Sequence, residues 1–246
     1  MLTQLKMDAT ADLRDVHALT FDIFGTAVDW RSGVAAEARR VGAANGISGD
    51  WERLADAWRA LYAPSMDRVR RGDLPWTNFD RLHRMSLDQV LHDLGIEFDL
   101  SAREELTLSW ERLPAWPDAA PGLERLARRF TVSTLSNGNR SQQTALVRFA
   151  GLPFQRLLSA EDFRHYKPDP EVYLGAASAL GLEAHQVMMV AAHKGDLRAA
   201  QAAGLRAAFV ERPLEKGPGG GADLLPDPPA DVQAHDFVDL AEKLGC

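Results

Sequence analysis

The chain has 246 residues, a formal net charge of −7, 46% hydrophobic and 26% charged residues, a balance that supports a packed core and excludes a disordered chain. The acidic excess argues against a nucleic-acid or anionic-membrane surface, and no stretch approaches the ~20 apolar residues of a membrane span. The polar N-terminus up to residue 16 has no apolar signal-peptide core, and the single cysteine, Cys246, excludes an internal disulfide and a cysteine metal cluster, so the expected compartment is the cytoplasm.

In chain order, the first apolar run, residues 17–24, reads as a buried strand that enters a Gly25-Thr26 turn and carries Asp22 near its C-terminal end. Residues 32–44, 51–70, 79–94 and 101–113 have helical patterning with no convincing strand between them. Pro114, Pro117 and Pro121 then precede a helical 122–129 and a second strand at 130–135. Beyond it, strands at 155–159, 187–192, 205–210 and a weaker one near Phe237 alternate with helices at 141–149, 171–180 and 197–203, with Gly151, Gly181 and Gly204 at helix ends. This alternation predicts an α/β fold with a doubly wound parallel sheet and helices on both faces. The helical block after the first strand reads as an inserted helical cap domain, which places the α/β core at 14–30 and 115–246 and the cap at 31–114. Residues 27–31 and 114–121 are the candidate hinges. The glycine-rich 217–221 and proline-rich 226–229 stretches read as a surface loop before the last strand.

Four short motifs fall at strand ends or the turns after them. They are Asp22-x-x-Gly25-Thr26, Ser136-Asn137-Gly138, Tyr166-Lys167-Pro168-Asp169-Pro170, and Ala191-Ala192-His193-Lys194-Gly195-Asp196. Open α/β sheets bind ligands at the carboxyl ends of their strands, so a carboxylate, an oxyanion-binding hydroxyl and amide, a lysine and a second carboxylate would converge there. Each motif alone is weak; the four in order are a strong signal.

This order resembles the haloacid dehalogenase-like superfamily of hydrolases, over about residues 18–210. The resemblance implies that Asp22 is a covalent nucleophile, that Ser136 and Lys167 carry the second and third motifs, and that Asp196 is the fourth-motif carboxylate. Two departures are informative. Phosphatase members carry a second Asp two residues after the nucleophile, where this chain has Phe24, and hold magnesium with an Asp-x-x-x-Asp pair whose first position here is Ala192. Magnesium needs oxygen ligands in octahedral geometry, so no metal and no other cofactor is expected. The residues look like the 2-haloacid dehalogenase (type II) branch, whose first motif resembles Asp-x-Phe/Tyr-Gly-Thr and whose active-site tyrosine is matched by Tyr173, six residues after Lys167.

That branch implies hydrolysis of short 2-haloalkanoic acids to 2-hydroxy acids through an ester on Asp22, with inversion at the chiral carbon. Covalent catalysis divides one hard displacement into two easier steps. Lys167 would keep Asp22 ionised, while Thr26, Ser136 and Asn137 would bind the substrate carboxylate or the developing oxyanion. Arg59 is the best match to the cap arginine that cradles the halide. Trp58, Trp30 and Trp76 offer indole N–H groups or pocket walls. His193 replaces an Asn of the best-known fourth motif and would donate to the halide or carboxylate or act as a base, while Asp196 would orient or deprotonate the hydrolytic water. His83, His92, His165, His185 and His235 lack metal-ligand spacing and read as surface or packing residues. The partners implied are a small halocarboxylate and, by resemblance alone, a second copy in a homodimer. A fluoride-sized cradle built from His193 and tryptophans is compatible with the pattern. Two rivals stay open: a magnesium-dependent phosphatase of the same superfamily, and a non-catalytic binding protein on this scaffold.

Overall fold

The computed structural model describes residues 13–221, 223 and 229–246. The N-terminal segment before residue 13 and residues 226–228 of the expected surface loop lie outside the described residues. Six strands, β1 (Ala18–Phe21), β2 (Thr131–Ser136), β3 (Arg156–Ser159), β4 (Val187–Ala191), β5 (Arg206–Val210) and β6 (Val232–Ala234), form one all-parallel sheet in the order β3-β2-β1-β4-β5-β6. The order reverses between β1 and β4, and Phe21 of β1 is level with Val190 of β4 and Thr134 of β2. The residues that follow these three strands therefore meet at the switch point, where doubly wound sheets bind their ligands.

Between β1 and β2 run α1 (Trp30–Ala44), α2 (Trp51–Ala60), α3 (Tyr62–Arg70), α4 (Phe79–Asp93), α5 (Leu100–Thr107) and, after a 3₁₀ turn at Leu108–Glu111, α6 (Ala119–Leu126). The second half adds α7 (Arg140–Phe149), α8 (Ala160–Phe163), α9 (Pro170–Leu180), α10 (Lys194–Ala202) and α11 (Phe237–Lys243). Four helices of the inserted block start on acidic or amide caps: Asp29, Asp50, Asn78 and Asp99 accept from Ser32 N, Arg53 N, Arg81 N and Ala102 N. Each such cap is worth ~1 kcal/mol.

The expected single helix over 51–70 is two helices, broken at Leu61. Pro64 explains the break, because it lacks the N–H that would bond back to the Ala60 carbonyl. The expected strand near Phe237 is corrected as well. The strand lies earlier, at Val232–Ala234, and Phe237 opens α11 behind Asp236, whose side chain accepts from Asp239 N. The phenylalanine signalled burial rather than extension: its ring packs edge-on against Phe21, centroids 5.0 Å apart.

The two connections between the helical block and the sheet lie side by side. Val28 bridges Ala115 in antiparallel fashion, Asp29 N donates to Pro114 O at 2.9 Å, and Trp116 N donates to Ala27 O at 3.0 Å. Further bonds dock the block over the carboxyl edge of the sheet. Buried Asn139 accepts from Phe79 N at 2.8 Å and donates to Asp80, Tyr166 donates its hydroxyl to Thr77 O at 2.7 Å, and Arg70 pairs with Asp169. No helix among the described residues is long and apolar enough to cross a membrane.

Candidate active site

Asp22 follows β1 directly and is 6% exposed, and its carboxylate takes donors from its own turn and from two other segments. Oδ1 accepts from Lys167 Nζ at 3.0 Å; Oδ2 accepts from the Thr26 hydroxyl at 2.8 Å and lies 3.0 Å from His193 Nδ1. Thr26 is in turn fixed by Ala192 N, which donates to its oxygen at 3.0 Å. Gly25 makes the turn possible in two ways. Its φ of +92° is costly for other residues, and a Cβ there would collide with the Glu215 carboxylate.

Lys167 precedes the Pro-started α9, and its backbone N–H is held by Asn137 Oδ1 at 2.8 Å. Its ammonium bridges Asp22 and Asp196 Oδ2, the latter at 2.6 Å. The other oxygen of Asp196 accepts from the Tyr173 hydroxyl at 2.6 Å, so both Asp196 oxygens are engaged. His193 caps α10 and places its second nitrogen, Nε2, 2.9 Å from Glu215 Oε1. The same Glu215 oxygen accepts from Trp30 Nε1 at 3.0 Å.

The electrostatics follow from this packing. Burial opposes ionisation of Asp22, but Lys167 and His193 outweigh it and hold the carboxyl well below the usual carboxylate range. Burial likewise disfavours the Lys167 ammonium, and Asp196 and Asp22 more than compensate, leaving its proton affinity raised. His193 is pushed up to about 10, since its bonds to Asp22 and Glu215 outweigh the cost of burying its charge. Asp196 moves the other way from Asp22, upward, because burial and the neighbouring Asp22 charge exceed what Lys167 returns. The resting site thus holds an ionised Asp22 between an ammonium and an imidazolium.

A cavity of about 300 Å³ opens on this carboxylate, at the small end of the ~300–1,000 Å³ typical of small-molecule sites. Asp22, Asn137, Lys167, Tyr173, His193 and Asp196 line it from the sheet side, and Arg59, Tyr62, Ala63 and Met66 from α2 and α3. The Arg59 guanidinium lies 4.0 Å above the Tyr62 ring and 5.4 Å from that of Trp30, and has no ion-pair partner among the described residues.

Not every expected site residue reaches this cavity. Trp58 is buried with its indole N–H donated to the His83 carbonyl at 3.1 Å, so that donor is unavailable to a ligand. Ser136 is fully buried and its oxygen accepts from Gly138 N at 3.1 Å, which shapes the turn beside Asn137. Phe24 is sealed under Trp110, Phe79 and Tyr62, with ring centroids 5.2, 6.1 and 6.4 Å away. Trp76 stacks on Tyr166 at 4.8 Å. His165 meets Asp169 and Glu171 at the surface, but Arg70 already binds Asp169. Glu215 was missed. Its signal was positional: the loop after β5 belongs to the same carboxyl edge, and Arg212 anchors it, donating to Thr26 O at 2.8 Å and clasping Asp118 with both terminal nitrogens.

The haloacid dehalogenase-like hydrolase family profile matches residues 16–204. The (S)-2-haloacid dehalogenase 4A of Burkholderia cepacia is 30% identical over 208 residues, 80% of this chain and 84% of that protein. Among solved structures, an L-2-haloacid dehalogenase is 43% identical with a TM-score of 0.90, over 93% of this chain and 98% of its own. A defluorinating L-2-haloacid dehalogenase is 42% identical with a TM-score of 0.91, over 94% and 96%.

Proposed function

The chain belongs to the haloacid dehalogenase-like hydrolases, in their 2-haloacid dehalogenase branch, and on that premise we propose that it hydrolyses short (S)-2-haloalkanoic acids to 2-hydroxy acids through an ester on Asp22. The observation that carries this reading is an ionised Asp22 facing a small cavity, with Phe24 and Ala192 where a phosphatase keeps its proton donor and its metal carboxylate. A halide leaves without protonation, and a monoanionic acid needs no magnesium to neutralise it.

In the first step Asp22 Oδ1, which has Lys167 as its one donor while Oδ2 has two, attacks the halogen-bearing carbon in line. A C–O bond forms, the C–X bond breaks, and the halide departs with its electron pair toward Arg59. The ester has lost the Asp22 charge, so His193 is left with Glu215 as its only acidic partner. Its proton affinity falls, it sheds one proton to solvent, and as a neutral base it takes a proton from water attacking the Asp22 carbonyl carbon. Thr26 steadies the carbonyl oxygen. Collapse breaks the bond between Cγ and the alkoxy oxygen, the alkoxide takes the remaining carboxyl proton, and Asp22 is again a carboxylate beside an imidazolium. His193 suits the base role better than Asp196, whose two oxygens are occupied by Lys167 and Tyr173; Asp196 holds Lys167 in place.

Single-turnover hydrolysis of chloroacetate in ¹⁸O-water without added metal tests this reading. Label in Asp22 is expected, and label only in the product would refute the ester route. The homodimer implied by resemblance is part of the same proposal, checked by sedimentation at micromolar concentration.

A further inference from the structure

A second cavity, of about 520 Å³, lies against the catalytic one and shares two residues with it, Arg59 and His193. Its other walls include Trp30, Asp56, Glu215 and Lys216, and it opens to solvent past exposed Asp56 and Lys216. Neither acid faces it as an uncompensated charge. Asp56 is clasped by Arg31 through bonds of 2.7 and 2.8 Å, and Glu215 is bonded to His193 and Trp30. The two cations are different: Arg59 and Lys216 have no ion-pair partner among the described residues, and Arg59 Nη1 is buried without a hydrogen bond. A buried guanidinium nitrogen left without a hydrogen bond is costly, and around this space the basic side chains Arg59, His193 and Lys216 outnumber the acids Asp56 and Glu215.

The catalytic cavity is also walled by the carboxylates of Asp22 and Asp196, whereas the second cavity has neither. A halide leaving in line is driven away from Asp22, and a route back through the catalytic cavity would take it past the ester and the Asp196 carboxylate. We propose that the second cavity is an exit site for the halide, a weak binding place for a small monovalent anion between Arg59 and Lys216. The organic acid uses the other opening. This inference rests on the dehalogenase reading above.

The test combines bromide soaked into crystals, located by anomalous scattering, with product inhibition of chloroacetate turnover by bromide. Lys216→Gln and Lys216→Arg are the variants, because Lys216 is exposed and contacts no reacting group. Bromide between Arg59 and Lys216 is expected in the wild type. A Ki for bromide raised about 3- to 10-fold in Lys216→Gln and near wild type in Lys216→Arg is expected for loss of one partly screened charge. Turnover with no bromide in this cavity, or with the same Ki in all three proteins, would overturn the exit site. Bromide in the cavity of a protein that never turns over haloacids would leave the anion site standing and refute the proposed function instead.

Discussion

Glu215→Gln isolates the charge behind His193 with little change in shape. The glutamine oxygen still accepts from Trp30 Nε1, now 3.0 Å away, but the carboxylate 2.9 Å from His193 Nε2 becomes neutral. His193 is held at about 10 by two carboxylates acting against burial, and removing one of the two should lower its proton affinity. The larger effect falls on the second chemical step, in which His193 gains a proton while Asp22 is an uncharged ester and Glu215 is its only counter-charge. A general base contributes ~10²–10⁴ in rate, so losing its charged partner should slow ester hydrolysis ~10²-fold, about 2.7 kcal/mol in barrier. Ester formation should change less than ~3-fold, because Lys167 still keeps Asp22 ionised. The two steps then separate in time. Rapid-quench assays should show a burst of about one equivalent of halide before a slow steady state, and intact-protein mass spectrometry should find the adduct on Asp22. A variant with near-normal kcat and no burst, or with both steps slowed equally, would refute the assignment of Glu215 to the hydrolytic step.

Three further outcomes follow from the same geometry. His193 has its proton affinity raised on folding, so its contribution to stability is complete below about pH 6.5 and is lost as pH climbs toward 10. Denaturant titrations should show wild type losing ~1–3 kcal/mol more than His193→Asn between pH 6 and 9, the figure being discounted for the ring's 27% exposure. Phe24→Ala should cost ~3–4 kcal/mol in unfolding free energy, since it leaves a hole under Trp110, Phe79 and Tyr62. Gly25→Ala, at φ +92° and against the Glu215 carboxylate, should displace Glu215 and reproduce the halide burst of Glu215→Gln; steady-state kinetics indistinguishable from wild type would count against that packing.

The sheet and the catalytic strand ends were legible because fully buried parallel strands write themselves as short apolar runs, and each run here ends in a chemically distinctive turn. β2, β4 and β5 lie within one residue of their expected places, and β1 ends three residues before its expected end, at Phe21. What sequence could not give was partnership across the chain. Trp58 and Ser136 have donors and acceptors that suit a ligand, yet each is satisfied internally, by the His83 carbonyl and the Gly138 amide. Glu215 has the opposite history. It falls between the expected strand at 205–210 and the glycine-rich 217–221 stretch, and the Arg212 bonds to Thr26 and Asp118 carry that segment back under His193. The periodicity over 51–70 concealed the break at Leu61 because apolar spacing is insensitive to one missing N–H, although Pro64 was there to be weighed.

Phe24 and Ala192 act together in the proposed mechanism. In a phosphatase of this superfamily the acid–base group stands two residues beyond the nucleophile, on the same segment. Phe24 occupies that position and is buried in aromatic packing, so on the proposed mechanism the base reaches Asp22 from another strand, through His193 after the end of β4. Its partner Glu215 adds a third carboxylate to those of Asp22 and Asp196; Lys167 and His193 bridge the three, and Arg59 stands beside them without an ion-pair partner among the described residues. A halocarboxylate brings a single charge and keeps it throughout; the charge that leaves with the halide is the one Asp22 loses on forming the ester. A phosphate monoester would add nearly two with no metal carboxylate at position 192 to bring in a counter-ion, and unpaired charge at a buried site costs several kcal/mol. On the proposed mechanism Phe24 moves the base to His193 and calls for a leaving group that asks for no proton, while Ala192, by leaving out a metal carboxylate, favours a monoanionic substrate.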